Sequence, residues 1–528
     1  MKMKNTKIIY LAVLAAVFAG CEPEFDNEVT NGSYSAGEAD FSSYVAIGNS
    51  LTAGYMDGTV FRSGQQYSYP NILSQQFALV GGGAFTQPSY ADDINNTGGF
   101  LLGTTQITAT RLIINASIGG PQPIAGTPTA NVGTLQATAY NNMGVPGAKT
   151  FHLLAAGYGN LAGVATGQAN PYFVRHATSP TATVLGDAMT KNPTFFTNWI
   201  GNNDVLFYAI SGGTGVNQTG NLNPATYGGN DITDPQVFAS AYSTIMNTLT
   251  SNGAKGVCAT IPDVTSIPYF TTVPYNPLTA SVIGSGNEQV GQATITALNT
   301  QLYGPLKQIL TAFGQGARLN LLSATEANPL LIKDESLTDL GAQITAAAAG
   351  SGNPQLIALA PYLGANYGQV RQATAQDLVL LTTRTVIGTN APNAIDPLNK
   401  YGLTFPLQDQ HLLTATEVTE IVGVTETYNN TIKAIAASKN IPVADMHAVL
   451  GQLVTGLPSA DGQIYKAGYF SSATANTVVF SLDGIHPNAR GYAFVANEYI
   501  KVINSYYKAH LPLVIPGYFP GATVLTSN

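Results

Sequence analysis

Short apolar runs alternate with segments of helical periodicity along most of this chain. A strand followed by a helix, repeated several times, is typical of a parallel sheet that is covered by helices on both faces. The sequence therefore predicts an α/β fold. The strand candidates are residues 44–47, 137–140, 195–200, 256–261 and 441–444, and the helix candidates are residues 71–79, 150–156, 235–249, 290–313, 417–438 and 488–507.

The composition is that of a large globular protein with few charges. Of the 528 residues, 45% are hydrophobic and only 9% are charged, whereas about 25% are charged in an average domain. The 27 Tyr and 20 Phe argue against disorder, which accompanies low hydrophobicity and high net charge. A formal net charge of -8, without clustered Lys and Arg, disfavours nucleic acid as a partner.

The N-terminus has the pattern of a secretory targeting segment. Lysines precede an apolar stretch over residues 8–19, which is too short to span a bilayer. Residues 18–21, Phe-Ala-Gly-Cys, resemble the lipobox of bacterial lipoproteins, in which the cysteine is lipidated and becomes the first residue. We therefore expect a lipid anchor on Cys21 that attaches the protein to a bacterial membrane, with the outer membrane as the expected one and the protein periplasmic or surface-exposed. An ordinary secretory signal with an incidental cysteine is the alternative.

A serine stands in the turn after the first predicted strand, in the segment Gly48-Asn49-Ser50-Leu51. This position places the Ser50 hydroxyl at the carboxyl edge of the sheet, where open α/β folds bind ligands. A serine hydroxyl is a poor nucleophile, so a hydrolase must also supply a base, a group that orients the base, and donors for the oxyanion. Ser50 is therefore a candidate nucleophile whose partners must come from other turns.

The predicted base is His486, which stands three residues after Asp483. In a hydrolytic triad the aspartate holds the imidazole in the right tautomer while the imidazole takes the serine proton. The chain has six histidines. Among the other five only His447, two residues after Asp445, has a comparable acidic neighbour, and it stays open as an alternative although its segment has the pattern of a strand end.

Three N–H groups are candidates for an oxyanion hole. The first is the backbone N–H of Ser50. The second is that of Gly147, which lies in a glycine-rich turn where the missing side chain lets a substrate approach the backbone. The third is the side-chain amide of Asn203, which follows the third predicted strand in Gly201-Asn202-Asn203-Asp204. A purely structural turn glycine is the alternative for Gly147.

Together these segments resemble the consensus blocks of the SGNH (GDSL-type) hydrolase family. The matching segments are residues 48–51, 142–147, 201–204 and 483–486, in the family's order. The resemblance implies a flavodoxin-like, three-layer α/β/α fold that acts on esters without a metal or another cofactor. It implies Ser50 as nucleophile, His486 as base, Asp483 as its partner, and Ser50, Gly147 and Asn203 as oxyanion donors. Asn49 stands where the family name has Asp, and we expect its side chain to brace the turn.

The positions of Ser50 and His486 bear on the domain organisation. Length alone suggests about three domains, but a site shared by these two residues requires both ends of the chain to belong to one fold. We therefore expect one hydrolase domain over residues 41–510. The other expected segments are a signal peptide over 1–20, a tether over 21–40, insertions near 81–135, 211–233, 264–288 and 320–412, and a C-terminal tail over 511–528.

Several other residues are predicted to be structural. Cys258 and Trp199 lie in apolar runs and are expected in the core. Asp204 and Asn488 precede helical patterns and are expected to cap them. Arg490 is expected to hold the structure rather than to bind a carboxylate.

The sequence thus favours an extracytoplasmic serine ester hydrolase that acts through an acyl-enzyme on Ser50. A surface binding lipoprotein that has lost catalysis on the same fold is the alternative. Acyl lipids and acetylated glycans are both open as substrates. A long apolar cleft under the insertion at 320–412 would favour lipids, and a shallow cleft lined with Tyr would favour glycans.

Overall fold

A computed structural model describes residues 33–115 and 120–525. The expected signal peptide over 1–20, Cys21 and the first part of the expected tether lie outside the described residues. Residues 35–40 pack against the domain, in contrast to the expected boundary at residue 41. Ser35 forms a β-bridge with His510, and Glu38 pairs with Lys508 at 2.6 Å.

A five-stranded parallel sheet forms the centre of the protein. The strands are β1 (Tyr44–Gly48), β2 (Asn142–Gly144), β3 (Phe195–Trp199), β4 (Lys255–Ala259) and β5 (Val443–Ala444). Their order in the sheet is β2-β1-β3-β4-β5, so β2 lies on one side of β1 and the later strands lie on the other. The predicted α/β class is confirmed.

The second strand differs from the predicted run over 137–140. Ala137 has a positive φ of 47°, which does not fit a strand. The strand is formed instead by Asn142 and its neighbours, which pair with β1. The Asn142 side chain is buried and donates to the Thr52 carbonyl at 3.0 Å, so a buried polar residue occupies this edge strand without an unpaired amide.

Helices pack on both faces of this sheet. Successive β1 residues point to opposite faces: Tyr44 and Ala46 join one core, and Val45 and Ile47 join the other. The flanking helices are α1 (Tyr69–Ala78), α2 (Asn203–Ile210), α3 (Pro235–Leu249), α4 (Ala415–Ser438), α5 (Met446–Thr455) and α6 (Ala489–Tyr507). The first core contains residues of α1 and α6, whereas the second contains residues of α2, α3 and α4.

Most of the residues predicted to be structural lie as expected. Cys258 is fully buried and Trp199 is 2% exposed. Asn488 caps α6, since its side chain accepts from the Gly491 N–H at 3.0 Å. The guanidinium of Arg490 donates to two backbone carbonyls. The predicted cap at Asp204 is wrong, because this residue lies inside the first turn of α2 and accepts from Thr150 instead.

Residues 273–412 build a hydrophobic core of their own, and we call them the insert. It begins well before the expected insertion at 320–412 and absorbs part of the one expected at 264–288. The predicted helix over 290–313 belongs to it, as two helices joined by a π-helical turn over Asn299–Tyr303. Its helices are Ala280–Ile283, Glu288–Leu298, Gly304–Ala312, Gly341–Ala349 and Pro354–Tyr367, and its strands are Leu331–Lys333, Val370–Gln372, Leu378–Val379 and Leu412–Leu413.

Short strands also occur near the N- and C-terminal parts of the domain. In the expected insertion over 81–135, Leu112–Asn115 pairs with Gly120–Pro123 and also with Val524–Leu525. The residues expected to form a tail over 511–528 therefore pack on the domain as far as they are described, and Leu511 is 3% exposed. The remaining strands are Leu101–Leu102, Thr105–Gln106, Leu457–Pro458 and Ile464–Tyr465. The remaining α-helices are short: Ser50–Ala53, Arg62–Gln65, Pro171–His176, Val184–Met189 and Pro268–Thr271.

No helix within 33–115 and 120–525 combines the length and the apolar character needed to cross a bilayer.

Candidate active site

Ser50 lies directly after β1, at the point where the strand order changes direction. It is the first residue of the short helix Ser50–Ala53, which Gly54 ends with a φ of +80°. A side chain on Gly54 would stand 2.7 Å from Ser68 Cβ, so this tight turn requires glycine. Crevices at such switch points, outside the carboxyl ends of the strands, are where open α/β sheets bind ligands.

The Asn49 side chain fixes the conformation of this turn through two hydrogen bonds. Its side-chain oxygen accepts from the Leu51 N–H at 3.0 Å, and its amide donates to Asn202 Oδ1 at 3.2 Å. Asn49 is fully buried. The prediction that Asn49 braces the turn is confirmed, and it does so by tying the end of β1 to the end of β3.

The C-terminal turn brings His486 to Ser50 across 436 residues of sequence. His486 Nε2 lies 2.9 Å from Ser50 Oγ. The other ring nitrogen, Nδ1, lies 2.8 Å from Asp483 Oδ2. The three side chains therefore form one hydrogen-bonded series in the order that proton transfer from the serine requires.

The Asp483 carboxylate is fixed by further donors. Its Oδ1 accepts from Ser481 Oγ and from the backbone N–H groups of Ile485 and His486, each at 2.9 Å. Its Oδ2 also accepts from the Gly58 N–H at 3.2 Å. Burial acts to raise the pKa of Asp483, but the neighbouring His486 and the backbone hydrogen bonds outweigh it and hold the pKa below its usual value. The carboxylate therefore stays ionised and oriented toward the imidazole.

The three predicted oxyanion donors line a cavity next to Ser50. The Ser50 N–H stands at the first position of a helix, where an N–H has no partner in its own helix. Gly147 has a φ of +81°, and among the described residues its N–H has no acceptor. The Asn203 amide donates one hydrogen to the Ala148 carbonyl at 2.9 Å, which orients the group and leaves its second N–H for a ligand.

Comparison of the chain with family models, with curated proteins and with solved structures finds no match. The functional assignment therefore depends on the geometry of these side chains.

The alternative base, His447, lies elsewhere. Its side chain is exposed on α5, and its backbone N–H donates to Thr260 Oγ1 at 3.0 Å. Asp445 caps this helix by accepting from the Ala448 N–H at 3.2 Å. The structure thus brings His486, and not His447, to Ser50.

Asp57 and Ser481 support the site and were missed by sequence reasoning. The Asp57 N–H donates to Ser481 Oγ at 3.0 Å, and Ser481 donates in turn to Asp483. The Asp57 carboxylate accepts from the Leu482 N–H at 3.0 Å. Burial raises the pKa of Asp57 to about 7, and the charge of Asp483 adds to this effect. The only sequence signal was the Asp57-Gly58 pair, which is typical of turns.

Tyr55 packs on the other side of the base. Its ring centroid lies 4.5 Å from that of His486. Its hydroxyl donates to the Gly58 carbonyl, and its own carbonyl accepts from the Tyr492 hydroxyl at 2.6 Å. The imidazole is therefore held by a ring contact as well as by its two hydrogen bonds.

Two cavities meet at Ser50. The first, which we call the apolar cavity, runs between Ser50, Trp199 and α5 and has a volume of about 90 Å³. The second, which we call the tyrosine cavity, is lined by Tyr55, Tyr172 and Gly147 and has a volume of about 390 Å³. The residues that line both are Ser50, Asn203, Leu206, Ile485 and His486.

The described residues include no group of three or more His, Cys, Asp or Glu side chains that is arranged to hold a metal ion.

Proposed function

We propose that this protein is a serine hydrolase that cleaves carboxylic esters through an acyl-enzyme on Ser50. The observation that carries this proposal is the unbroken series from Ser50 Oγ to His486 Nε2 at 2.9 Å and from His486 Nδ1 to Asp483 Oδ2 at 2.8 Å. Side chains in this arrangement activate a serine that is otherwise a poor nucleophile.

In the first half of the reaction, His486 takes the proton of Ser50 while Oγ attacks the ester carbonyl. The carbonyl oxygen becomes an oxyanion and accepts hydrogen bonds from the N–H groups of Ser50, Gly147 and Asn203. Loss of one such donor typically costs about 2.7 to 4 kcal/mol of transition-state stabilisation. The imidazolium, stabilised by Asp483, then gives its proton to the leaving alkoxide, and the acyl group stays on Ser50.

In the second half, His486 takes a proton from water, and the resulting hydroxide attacks the acyl-enzyme. The same oxyanion donors stabilise the second tetrahedral intermediate. Its collapse releases the carboxylic acid, and the imidazolium returns its proton to Ser50 Oγ.

The fold supports the same proposal. The strand order 2-1-3-4-5 is that of flavodoxin-like doubly wound sheets. A nucleophile directly after β1, with the base in a turn before the last flanking helix, agrees with the resemblance to SGNH (GDSL-type) hydrolases. We propose membership of that family on these grounds, and an extracytoplasmic location with a lipid anchor on Cys21 and the outer membrane as the attachment site on the N-terminal pattern.

A fluorophosphonate probe and a panel of p-nitrophenyl esters test the assignment. The intact protein should be labelled and should hydrolyse esters, and Ser50→Ala should abolish both. Ser251→Ala, which changes an exposed serine after α3, should change neither. Equal labelling of the Ser50→Ala variant would refute the nucleophile, and the absence of labelling and turnover in the intact protein would favour a catalytically inactive binding protein.

A further inference from the structure

We propose that the apolar cavity binds the acyl chain of the substrate, and that the substrate is therefore an ester of a medium- or long-chain fatty acid rather than an acetate. This inference rests on the proposed ester hydrolysis at Ser50. It assigns the two cavities to the two parts of the ester.

The walls of the apolar cavity offer almost no hydrogen-bonding groups. Its polar side chains are Ser50, Asn202, Asn203 and His486, all at the catalytic end. Every other lining side chain is apolar, with contributions from α5, α6 and the turn at 262–267. Even Trp199 presents no free donor, because its indole N–H is bound to the Thr260 carbonyl at 3.1 Å.

This lining selects for hydrocarbon. A sugar hydroxyl that entered the cavity would lose its hydrogen bonds to water and find no partner, which is unfavourable. A methylene chain loses nothing and gains burial of apolar surface. An acetyl group at Ser50 would not reach the apolar side chains that α5 and α6 contribute to the lining, so an acetylated glycan does not account for this cavity.

The tyrosine cavity is suited to the alcohol part of the ester. Tyr55, Thr108 and Tyr172 line it. The Tyr55 hydroxyl already donates to the Gly58 carbonyl, but the oxygen of each hydroxyl can accept a hydrogen bond from a polar headgroup. Because the two cavities meet at Ser50 and His486, an ester carbonyl placed at Ser50 can direct its acyl chain into the apolar cavity and its alcohol into the other. The leaving alcohol then stays next to the imidazole that must protonate it.

Chain length should therefore control the rate. Burial of each CH₂ corresponds to roughly a fourfold gain in kcat/KM. Measured on p-nitrophenyl esters from acetate to dodecanoate, kcat/KM should rise by at least about tenfold between acetate and octanoate. A flat profile, or a maximum at acetate, would overturn the assignment of the acyl chain.

Two matched substitutions on α5 test whether the acyl chain binds in the apolar cavity. Val449 is half-buried and lines the apolar cavity, whereas Val454 on the same helix is 51% exposed and does not line it. Val449→Phe should move the optimum to shorter acyl chains, and Val454→Phe should leave the profile unchanged. Thermal unfolding of both variants checks that each is folded. An unchanged optimum in folded Val449→Phe would contradict the proposal.

A second ester series separates the two parts of the substrate. Acetate esters of alcohols with increasing chain length should show little gain in kcat/KM, because the growing part lies in the tyrosine cavity. A rise with alcohol length and not with acyl length would reverse the assignment of the two cavities.

The only tryptophan of the chain gives a readout that does not need catalysis. Trp199 lines the apolar cavity, so a brominated fatty acid bound there should quench its fluorescence by contact. Dibromostearate should quench Trp199 in the Ser50→Ala variant, unbrominated stearate should compete, and Val449→Phe should weaken the effect while Val454→Phe should not.

The combination of results distinguishes the two proposals. Quenching by dibromostearate together with the absence of ester turnover would refute the hydrolase and retain the acyl-binding cavity. Turnover that depends on Ser50, without chain-length preference and without quenching, would retain the hydrolase and refute the acyl-binding cavity.

Discussion

Two buried aspartates of this protein accept hydrogen bonds in similar ways but bind different basic side chains. Asp483 lies at the sheet edge, 2.8 Å from the imidazole of His486. Asp377 lies in the insert, 2.7 Å from the guanidinium of Arg371. For both carboxyls burial acts to raise the pKa, yet hydrogen bonds and the neighbouring basic group keep the pKa below its usual value.

The basic partners of these two carboxylates, Arg371 and His486, differ in the groups that they bind. Arg371 binds Asp334 through Nε at 2.6 Å and Asp377 through both Nη atoms at 2.7 Å. This ion-pair network is permanently charged and directed inward. His486 binds Asp483 through Nδ1 and directs Nε2 to Ser50, which lines both cavities. A buried carboxylate thus supports an internal ion pair in one place and the proposed chemistry in the other, according to its partner.

The largest effect is expected from removing the imidazole. His486→Ala should lower kcat by about 10⁶-fold, because the general base and the bond that orients Ser50 are lost together. Thermal unfolding should change little. His447→Ala is the matched control, and it should keep full activity in the same ester assay. A comparable loss in His447→Ala would restore the alternative base.

The next effect compares the two carboxylates directly. Asp483→Asn should lower kcat by about 10⁴-fold, since an amide favours the wrong imidazole tautomer. Asp377→Asn should leave kcat unchanged and should lower the unfolding temperature. The two variants are compared by ester kinetics and thermal unfolding at one pH. Loss of activity in folded Asp377→Asn would show that the insert contributes to the chemistry.

The third effect concerns stability alone. Arg371→Met leaves two carboxylates in the insert without their cation, and it should lower the free energy of unfolding by about 3 to 5 kcal/mol. Lys433→Met removes an ion pair with Asp445 in which the side chains are 51% and 44% exposed, so it should cost no more than about 1 kcal/mol. Chemical denaturation measures both, and equal losses would contradict the structural role of the buried network.

The smallest effect comes from a third carboxyl, Asp57, which forms no ion pair with any side chain in the described part of the protein and accepts from the Leu482 N–H. Its pKa rises from the usual 3.8 to about 7 in the fold, so the folded state binds more protons than the unfolded state in this interval. Stability must therefore fall as pH rises from about 4 to about 7. Between pH 5 and pH 8 this group should cost about 2 to 3 kcal/mol.

Asp57→Asn keeps the acceptor for the Leu482 N–H and removes the ionisation. Denaturation at pH 5 and pH 8 should show a smaller loss of stability in this variant than in the intact protein. The same loss in both proteins would show that Asp57 does not ionise in this range.

The side chains that meet at the candidate site could be predicted from sequence because local rules place them. Ser50 follows a buried strand, Asn203 follows another, and His486 precedes a helix that Asn488 caps. Parallel strands bring their carboxyl ends to one edge, so turns that are distant in sequence meet there. The α/β class followed from the same alternation of strands and helices.

The rest depends on partners that no local pattern reveals. Asp57 bonds to residues more than 400 positions away. The walls of the apolar cavity come from Trp199, Val449 and other residues that each have the pattern of ordinary core. Asn142 occupies a buried position in the edge strand β2, where the Thr52 carbonyl and Gln87 Oε1 accept from its amide. The insert begins at 273 because its helices pack on each other, and helical periodicity does not specify a packing partner.

The chain enters the domain at the edge of the sheet opposite to Ser50. Glu38 contacts Lys508, and its carbonyl accepts from Lys255 at the start of β4, whereas the serine follows the end of β1. The first described residues and Ser50 therefore lie at opposite ends of the parallel strands. A substrate can thus approach Ser50 without passing the segment where the described chain begins.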